Sequence, residues 1–315
     1  MSTDTTIYQE QVRLLLASLP AVADEEVFAL KGGTAINLFI RDLPRLSVDI
    51  DLTYLPVHER RQSLEEISLA LARIAARIEN GLNGVRVIRL RQRADEQISK
   101  LQVQRGQVKI KIEASPVTRG CVREASIRPV VAAVEEQYGF AECRVAHVDD
   151  LYAGKICAAL DRQHPRDFFD VKCLMEAEGI SDDLLEVFIV YLISSNQPVV
   201  KLLAPNLIDL GELYQRQFVG MTFQPVSLQA LESTRLALIS EINRRLTDAQ
   251  RRFLMDFKAG TPDWRLLNLD HDHIKELPSV RWKMLNLEKM AADDRRAAVA
   301  KLHQVLFKVR GQIHS

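Results

Sequence analysis

The 315-residue chain has no apolar run approaching the roughly 18 residues a membrane-spanning helix needs. Its first residues, MSTDTTIYQEQVR, are polar and carry both signs of charge, so they do not read as a secretory signal. A cytoplasmic protein with no membrane partner is therefore expected. Cysteine is scarce. Cys121, Cys143, Cys157 and Cys173 form no C-x-x-C pair, which excludes a zinc-ligand spacing and argues against a disulfide framework. The four thiols read as structural or incidental. Net charge is absent too: 42 Lys and Arg balance 42 Asp and Glu, so a polyanion site has to come from local patches. Repeats and low-complexity tracts are missing. What remains is 47% apolar and 27% charged residues, enough to bury a sizeable core in two domains or in one with a large extension.

Residues 7–19 place apolar side chains at helical spacing and are expected to stop at Pro20. VFALKGGTAINLFIRDL then reads as a short strand, a Gly-Gly turn and a helix. Residues 47–53, SVDIDLT, alternate as a half-buried strand does. A long amphipathic helix spans 58–79 and closes at Asn80-Gly81. VRVIRLRQR, ISKLQVQ and QVKIKIEAS read as strands, the last two flanking a hairpin at Arg105-Gly106. After a less regular stretch, ECRVAHV reads as a strand. Asp149 or Asp150 caps a helix through about Arg162, and Pro165 opens another. From about 180 onward the pattern is helical. The expected fold is α+β: a mixed-sheet α/β domain over 1–178, then a helical domain over 179–315.

Residues two apart on a strand point to one face, so Ser47, Asp49 and Asp51 project together while Val48, Ile50 and Leu52 face inward. Two neighbouring carboxylates repel unless water or a cation neutralises them. Such hard oxygen ligands suit Mg²⁺, which is usually held by one or two carboxylates plus substrate phosphates. An acidic, solvent-facing strand edge is the bland alternative. The Gly32-Gly33 pair, between a strand and a helix, leaves the backbone N–H groups of Thr34 and its neighbours open to a phosphate, and Lys31 adds charge beside it. Together these residues can hold a triphosphate tail next to metal. A third carboxylate is expected for a two-metal arrangement. Glu113 is the candidate, and the candidate base for an attacking hydroxyl if it lies beside Asp49 and Asp51. Its face-mates Lys109 and Lys111 equally suit a solvated face of mixed charge.

Three blocks, KGGTAINLF (31–39), RLSVDIDL (45–52) and DLYAGKICAALDRQHPRDFFDV (150–171), together resemble the motif set of the AbiEii/AbiGii toxin family. That family includes the MenT toxins and shares the DNA polymerase β-like nucleotidyltransferase fold. The resemblance implies a toxin of a type IV-like toxin–antitoxin or phage-defence pair, with a cognate DNA-binding antitoxin encoded nearby. It implies Mg²⁺-dependent transfer from a nucleoside triphosphate (NTP), in the relatives' manner to the tRNA acceptor end, which blocks aminoacylation. Gly32 and Gly33 then correspond to the phosphate-binding turn, and Ser47, Asp49 and Asp51 to the metal-binding strand. Lys155 matches the family's lysine, and the last catalytic acid falls on Asp167 or Asp170.

The third block has its own physical logic. Lys155 and Arg162 share a helical face and can offset phosphate charge, or can lie on a solvated surface. Asp167 lies in a first helical turn, where the dipole favours a carboxylate even as a plain cap, and Asp170 shares its face. His164 reads as a loop or cap residue. For an RNA acceptor, Arg86, Arg89, Arg91 and Arg93 are candidate contacts. So are Lys109, Lys111, Arg119, Arg123 and Arg128, with Arg60, Arg61, Arg73 and Arg77 on the long helix. Two alternatives stay open: modification of a protein hydroxyl, by nucleotidylation or kinase-like transfer, and a nucleotide-binding inhibitor without turnover.

Overall fold

The computed structural model of the protein describes residues 3–91 and 97–308. The chain divides into two compact units, Met1–Leu151 with Gln217–Pro225, and Tyr152–Arg216 with Val226–Ser315. The division thus falls after 151 rather than near the expected 178. The helix opened by Pro165 packs against a later helix of its own unit, Leu228–Arg245.

The first unit is built on a seven-stranded mixed sheet. In chain order it contains α1 (Thr3–Ala23), β1 (Phe28–Lys31), α2 (Gly32–Ala35, continuing as a π-helical turn over Ile36–Ile40) and β2 (Asp49–Tyr54). Next come α3 (Arg60–Gly81), β3 (Val85–Arg91), β4 (Ile98–Arg105), β5 (Val108–Ala114), β6 (Ser126–Pro129), α4 (Ala132–Tyr138) and β7 (Glu142–Val145). Helix α5 (Val148–Arg162) begins here and continues into the second unit. The strand order is β3-β4-β5-β2-β1-β7-β6, with β2 parallel to β5, β1 parallel to β7, and the other pairs antiparallel.

Alternation decides which face of this sheet is core. Ile50, Leu52, Leu101, Val103, Ile110 and Ile112 are each at most 1% exposed. Helix α3 closes over β3 and β4 with Ile67, Leu71, Ile74 and Ile78, and α1 packs on β5 and β7. Each such aliphatic side chain contributes about 1.5–3 kcal/mol when fully buried. The other face carries mainly polar and charged side chains, with Ile88 and Leu90 toward its β3 edge.

Helix α1 does not stop at Pro20 but runs on to Ala23. Proline removes one helical hydrogen bond, and the burial of Leu19 and Val22 beside it offsets that loss. The stretch read as irregular holds β6 and α4, whose few residues are too short for a periodic signal.

The second unit is helical: α6 (Pro165–Ala177), α7 (Asp182–Ser194), α8 (Val199–Leu203), α9 (Gly211–Gln217), α10 (Leu228–Arg245), α11 (Asp248–Ala259), α12 (His271–Glu276), α13 (Pro278–Lys289) and α14 (Ala292–Lys308). Phe168, Phe188 and Phe253 anchor its core. Caps start the helices where the sequence offers oxygen. Ser181 accepts from Leu184 N, and Thr247 and Gln250 form a reciprocal capping box. No helix among the described residues is long and apolar enough to cross a membrane.

Candidate active site

The register of the sheet lines up charges across its open face. Lys31 on β1 is opposite Asp51 on β2, Asp51 is beside Glu113 on β5, and Glu113 is opposite Lys100 on β4. Paired residues on neighbouring strands share a face, so the row reads cation, anion, anion, cation. One step along, Asp49 lies beside Lys111, which is opposite Gln102. A third row sets Lys109 opposite Gln104 and Gln104 opposite Arg86. Glu113 thus does stand next to Asp51. It is also ion-paired to Lys100 at 2.7 Å, with both side chains partly exposed.

Lys31 is tied down from the far side. Its Nζ donates to Thr118 Oγ1 at 3.1 Å, and Thr118 Oγ1 donates to Ser115 Oγ at 2.7 Å. Ser115 N donates in turn to Leu52 O, so the loop after β5 is fixed to β2. Burial pulls the Lys31 ammonium below the ordinary lysine range, opposed first by the charge of Asp51.

The glycine pair is required by what it touches. Gly32 has a left-handed φ of +75°, and a Cβ there would stand 2.5 Å from Asp51 Oδ2. No other residue type fits that position without moving the carboxylate. At Gly33 a Cβ would stand 2.6 Å from an Arg45 Nη2 and 3.0 Å from Ser47 Oγ. Thr34 contributes its side chain as well as its backbone. The buried hydroxyl lies 3.0 Å from Ser47 Oγ and also reaches the Asp49 carbonyl, binding the turn to the strand. Asn37 Nδ2 donates to Gly33 O at 2.8 Å. Ser47 itself precedes β2, which begins at Asp49.

Lys31, Gly32, Gly33, Thr34, Ser47, Asp49, Asp51 and Glu113 are therefore brought together in the first unit. Among the described residues, no group of three or more His, Cys, Asp or Glu side chains is arranged to hold a metal ion alone. Two carboxylates whose remaining ligands come from substrate phosphates are nevertheless what Mg²⁺ chemistry uses. The Asp51 carboxylate against the bare Cα of Gly32 fits that division, because it leaves the approach clear of side chains.

Lys155, Asp167 and Asp170 lie in the second unit and form a buried cluster of their own. Lys155 Nζ lies 3.0 Å from Asp167 Oδ1 and 2.9 Å from Asp170 Oδ2, with side chains 5%, 1% and 1% exposed. Arg162 reaches Asp167 through Nε at 2.6 Å and Nη2 at 2.9 Å. The solvated helix surface weighed for Lys155 is thus not what forms. Burial alone raises the Asp167 pKa, but the charges and hydrogen bonds of Lys155 and Arg162 outweigh it. They hold the carboxyl well below the usual carboxylate range. His164 is the N-cap of α6, accepting from Arg166 N at 3.1 Å.

Between α5 and α6, Gln163 takes a left-handed φ of +47° and is buried. Its side-chain amide donates to Asn206 O and accepts from Ile208 N and Arg235 Nη1. Sequence reasoning passed over Gln163, and no local pattern marks it. It passed over Thr118 too, and it gave Arg45 no role beyond opening the RLSVDIDL block.

The basic residues are sorted by the same geometry. Arg89 pairs with Glu79 at 2.8 Å, Arg73 and Arg77 with Glu25, Arg61 with Glu65, and Arg123 approaches Asp149. Arg119 is buried. Arg93 lies outside the described residues. Arg86, Lys109 and Lys111 are exposed on the carboxylate face, joined there by half-buried Lys100. Asp150 accepts from Val122 N and Arg123 N, so it fixes a loop instead of capping α5.

Residues 13–284 match the family described as "Nucleotidyl transferase AbiEii toxin, Type IV TA system". The chain belongs to the AbiEii family. It is a nucleotidyltransferase toxin of a type IV toxin–antitoxin system, and membership implies an NTP substrate and an antitoxin partner. Nucleotidyltransferases generally use a divalent metal with the NTP. Among solved structures, the chain is similar to MenT4, a nucleotidyltransferase toxin from Mycobacterium tuberculosis H37Rv. The TM-score is 0.57 at 15% identity, covering 90% of this chain and 92% of that one. At that identity the likeness speaks for the fold, an α+β nucleotidyltransferase architecture. No curated protein sequence matches significantly.

Proposed function

We propose that this AbiEii-family chain transfers a nucleotidyl group from a Mg²⁺-bound NTP to a tRNA acceptor end, blocking translation. The observation that carries the reading is the close approach of the Asp51 carboxylate to Gly32, which sets a metal-ligating oxygen directly beside a side-chain-free turn. Asp49 and Asp51 would hold the ion, while Lys31 and the Gly32–Thr34 turn, backed by Ser47, accommodate the phosphates. When bound, Mg²⁺ supplies charge stabilisation for the reacting phosphate and orients it. Glu113, next to Asp51, accepts the proton of the acceptor hydroxyl as that oxygen attacks the α-phosphorus in line and pyrophosphate leaves. Lys100 orients Glu113 through its 2.7 Å ion pair. A part for Lys155, and for Asp167 or Asp170, in turnover rests on the resemblance alone.

The acceptor class is supported by the cations of the same face. Arg86, Lys100, Lys109 and Lys111 share it with the carboxylates, a distribution that suits a phosphate backbone led to the reacting hydroxyl. The antitoxin partner is proposed to be a DNA-binding protein encoded nearby, and the chain to act in the cytoplasm.

The deciding experiment incubates the protein with total tRNA and each labelled NTP in Mg²⁺, then resolves RNA and protein on gels. Label on tRNA, abolished by EDTA, with release of pyrophosphate, is the expected result. Label on protein, or release of inorganic phosphate or nucleoside diphosphate, would move the assignment to modification of a protein hydroxyl. Toxicity retained by a folded Asp49→Ala variant would move it to inhibition without turnover.

A further inference from the structure

Arg45 opens the RLSVDIDL block, yet no role in the nucleotide site has been given to it. It is 3% exposed. Burying a guanidinium costs several kcal/mol unless its donors are used. Here the fork is divided. Nη1 donates to the Leu46 carbonyl at 3.0 Å, while an Nη2 stands 2.6 Å from the point where a Gly33 Cβ would be. Ser47 Oγ approaches that same point at 3.0 Å, and Thr34 Oγ1 lies 3.0 Å from Ser47 Oγ. Gly33 is therefore bare because Arg45 and Ser47 close over it.

The backbone of Arg45 is held as firmly as its side chain. It forms a bridge with Thr222, and Leu46 N donates to Met221 O at 2.9 Å. These partners belong to Gln217–Pro225, the segment that returns from late in the chain to join the first unit. The returning segment thus clamps the two residues that lead into Ser47, Asp49 and Asp51. A strand entry that could slide would carry Ser47 and the guanidinium away from the glycine turn.

We propose that Arg45 is a positioning residue of the nucleotide site, a buried cation that sets Gly33 and Ser47 and lends fixed positive charge to the triphosphate. Arginine suits this role because its planar, permanently charged fork can serve a carbonyl on one edge and the turn on the other. Its charge, shielded from solvent, is screened little by salt. The inference rests on reading the Asp49–Asp51 site as a nucleotide site.

The test is calorimetric binding of each NTP with Mg²⁺ to wild type, Arg45→Met, Arg45→Lys and Gly33→Ala, with folding checked by circular dichroism and Tm. Arg45→Met is expected to weaken the NTP that wild type binds by about 10- to 100-fold, the size of a lost charged interaction. Arg45→Lys, which keeps charge but not the fork, recovers part of the loss. Gly33→Ala, which displaces the guanidinium, reproduces much of it. Folded Arg45→Met binding like wild type overturns the proposal, and so does Arg45→Lys as weak as Arg45→Met. Should Arg45→Met not fold, unchanged affinity in folded Gly33→Ala is the overturning result. Wild type that binds none of the four NTPs fails the underlying nucleotide reading itself, a result distinct from any contrast among the variants.

Discussion

Asp51 and Glu113 are side-by-side partners in the parallel register of β2 and β5, and the cations Lys31 and Lys100 flank the pair on its two sides. The acidic centre is therefore electrostatically held before any ligand arrives, and its two aspartates are not equivalent. Asp51 faces half-buried Lys31 across the β1–β2 ladder, whereas Asp49 lies beside exposed Lys111.

Asp49→Asn and Asp51→Asn are each expected to lower transfer about a hundredfold or more, since a metal's charge supplies several kcal/mol of transition-state stabilisation. Their stabilities should part. Asp49→Asn leaves unfolding free energy within about 0.5 kcal/mol, as surface changes do. Asp51→Asn costs about 1–2 kcal/mol because Lys31 loses its opposite charge. Denaturant titration of both variants with turnover measured on folded protein checks this. Full activity in either removes that residue from metal binding.

Glu113→Gln separates a base from a surface charge. The Lys100–Glu113 pair is partly exposed, so its loss should move stability by no more than about 1 kcal/mol. If Glu113 accepts the acceptor's proton, kcat falls about 10²- to 10⁴-fold while NTP affinity holds. A kcat within twofold of wild type would return Glu113 to the solvated-face reading.

How far the sequence carried can be read residue by residue. Period-two alternation in SVDIDLT and VKIKIE announced both the strands and the faces of Asp49, Asp51 and Glu113, because alternation is a local property. Which strands neighbour each other is not local. The β2–β5 pairing that sets Glu113 beside Asp51 joins segments some sixty residues apart and has no signature in either. The same limit hid Arg45, whose meaning depends on Gly33 and on Thr222. Lys155 was legible as a family residue but not as a buried one, since helical spacing with Arg162 fits a solvated face equally well. Where the chain divides was not legible either, because nothing in the sequence of α6 says that it packs on α10.

The Lys155–Asp167–Asp170 cluster predicts acid sensitivity. The Asp167 carboxyl is held well below its unfolded range, so its contribution is fully present above the ordinary Asp pKa, about 4. That contribution drains away as pH falls from there toward the lowered native value. Asp167→Asn should flatten this acid limb of the stability curve below about pH 4. Lys155→Met leaves two buried carboxylates short of their shared cation and should cost about 3–5 kcal/mol near neutrality. Turnover per folded molecule then tells whether Lys155 has a part in the reaction: unchanged turnover marks it as structural.

The cations on the open sheet face make the last prediction, and they are not the ones crowding the sequence. Arg89 lies on the opposite face from Arg86 and is paired to Glu79 of α3, whereas Arg86, Lys109 and Lys111 are exposed on the face of Asp49 and Asp51. If an RNA backbone crosses that face, binding weakens steeply with salt, because each neutralised phosphate releases counterions. Replacing Arg86, Lys109 or Lys111 with Ser should each lower the magnitude of the log–log salt slope by about one and raise the KM for RNA. NTP affinity should stay as it was, since the proposed phosphate turn lies at Gly32 and Gly33. Arg89→Ser serves as the internal control, reducing stability by up to about 1 kcal/mol through loss of the Glu79 pair without changing the slope. Filter binding at four salt concentrations measures all four variants. A slope that responds to Arg89 but not to the other three would put the acceptor on the α3 side of the sheet. A slope near zero in wild type would remove the polyanion and favour a protein hydroxyl, which needs no such surface.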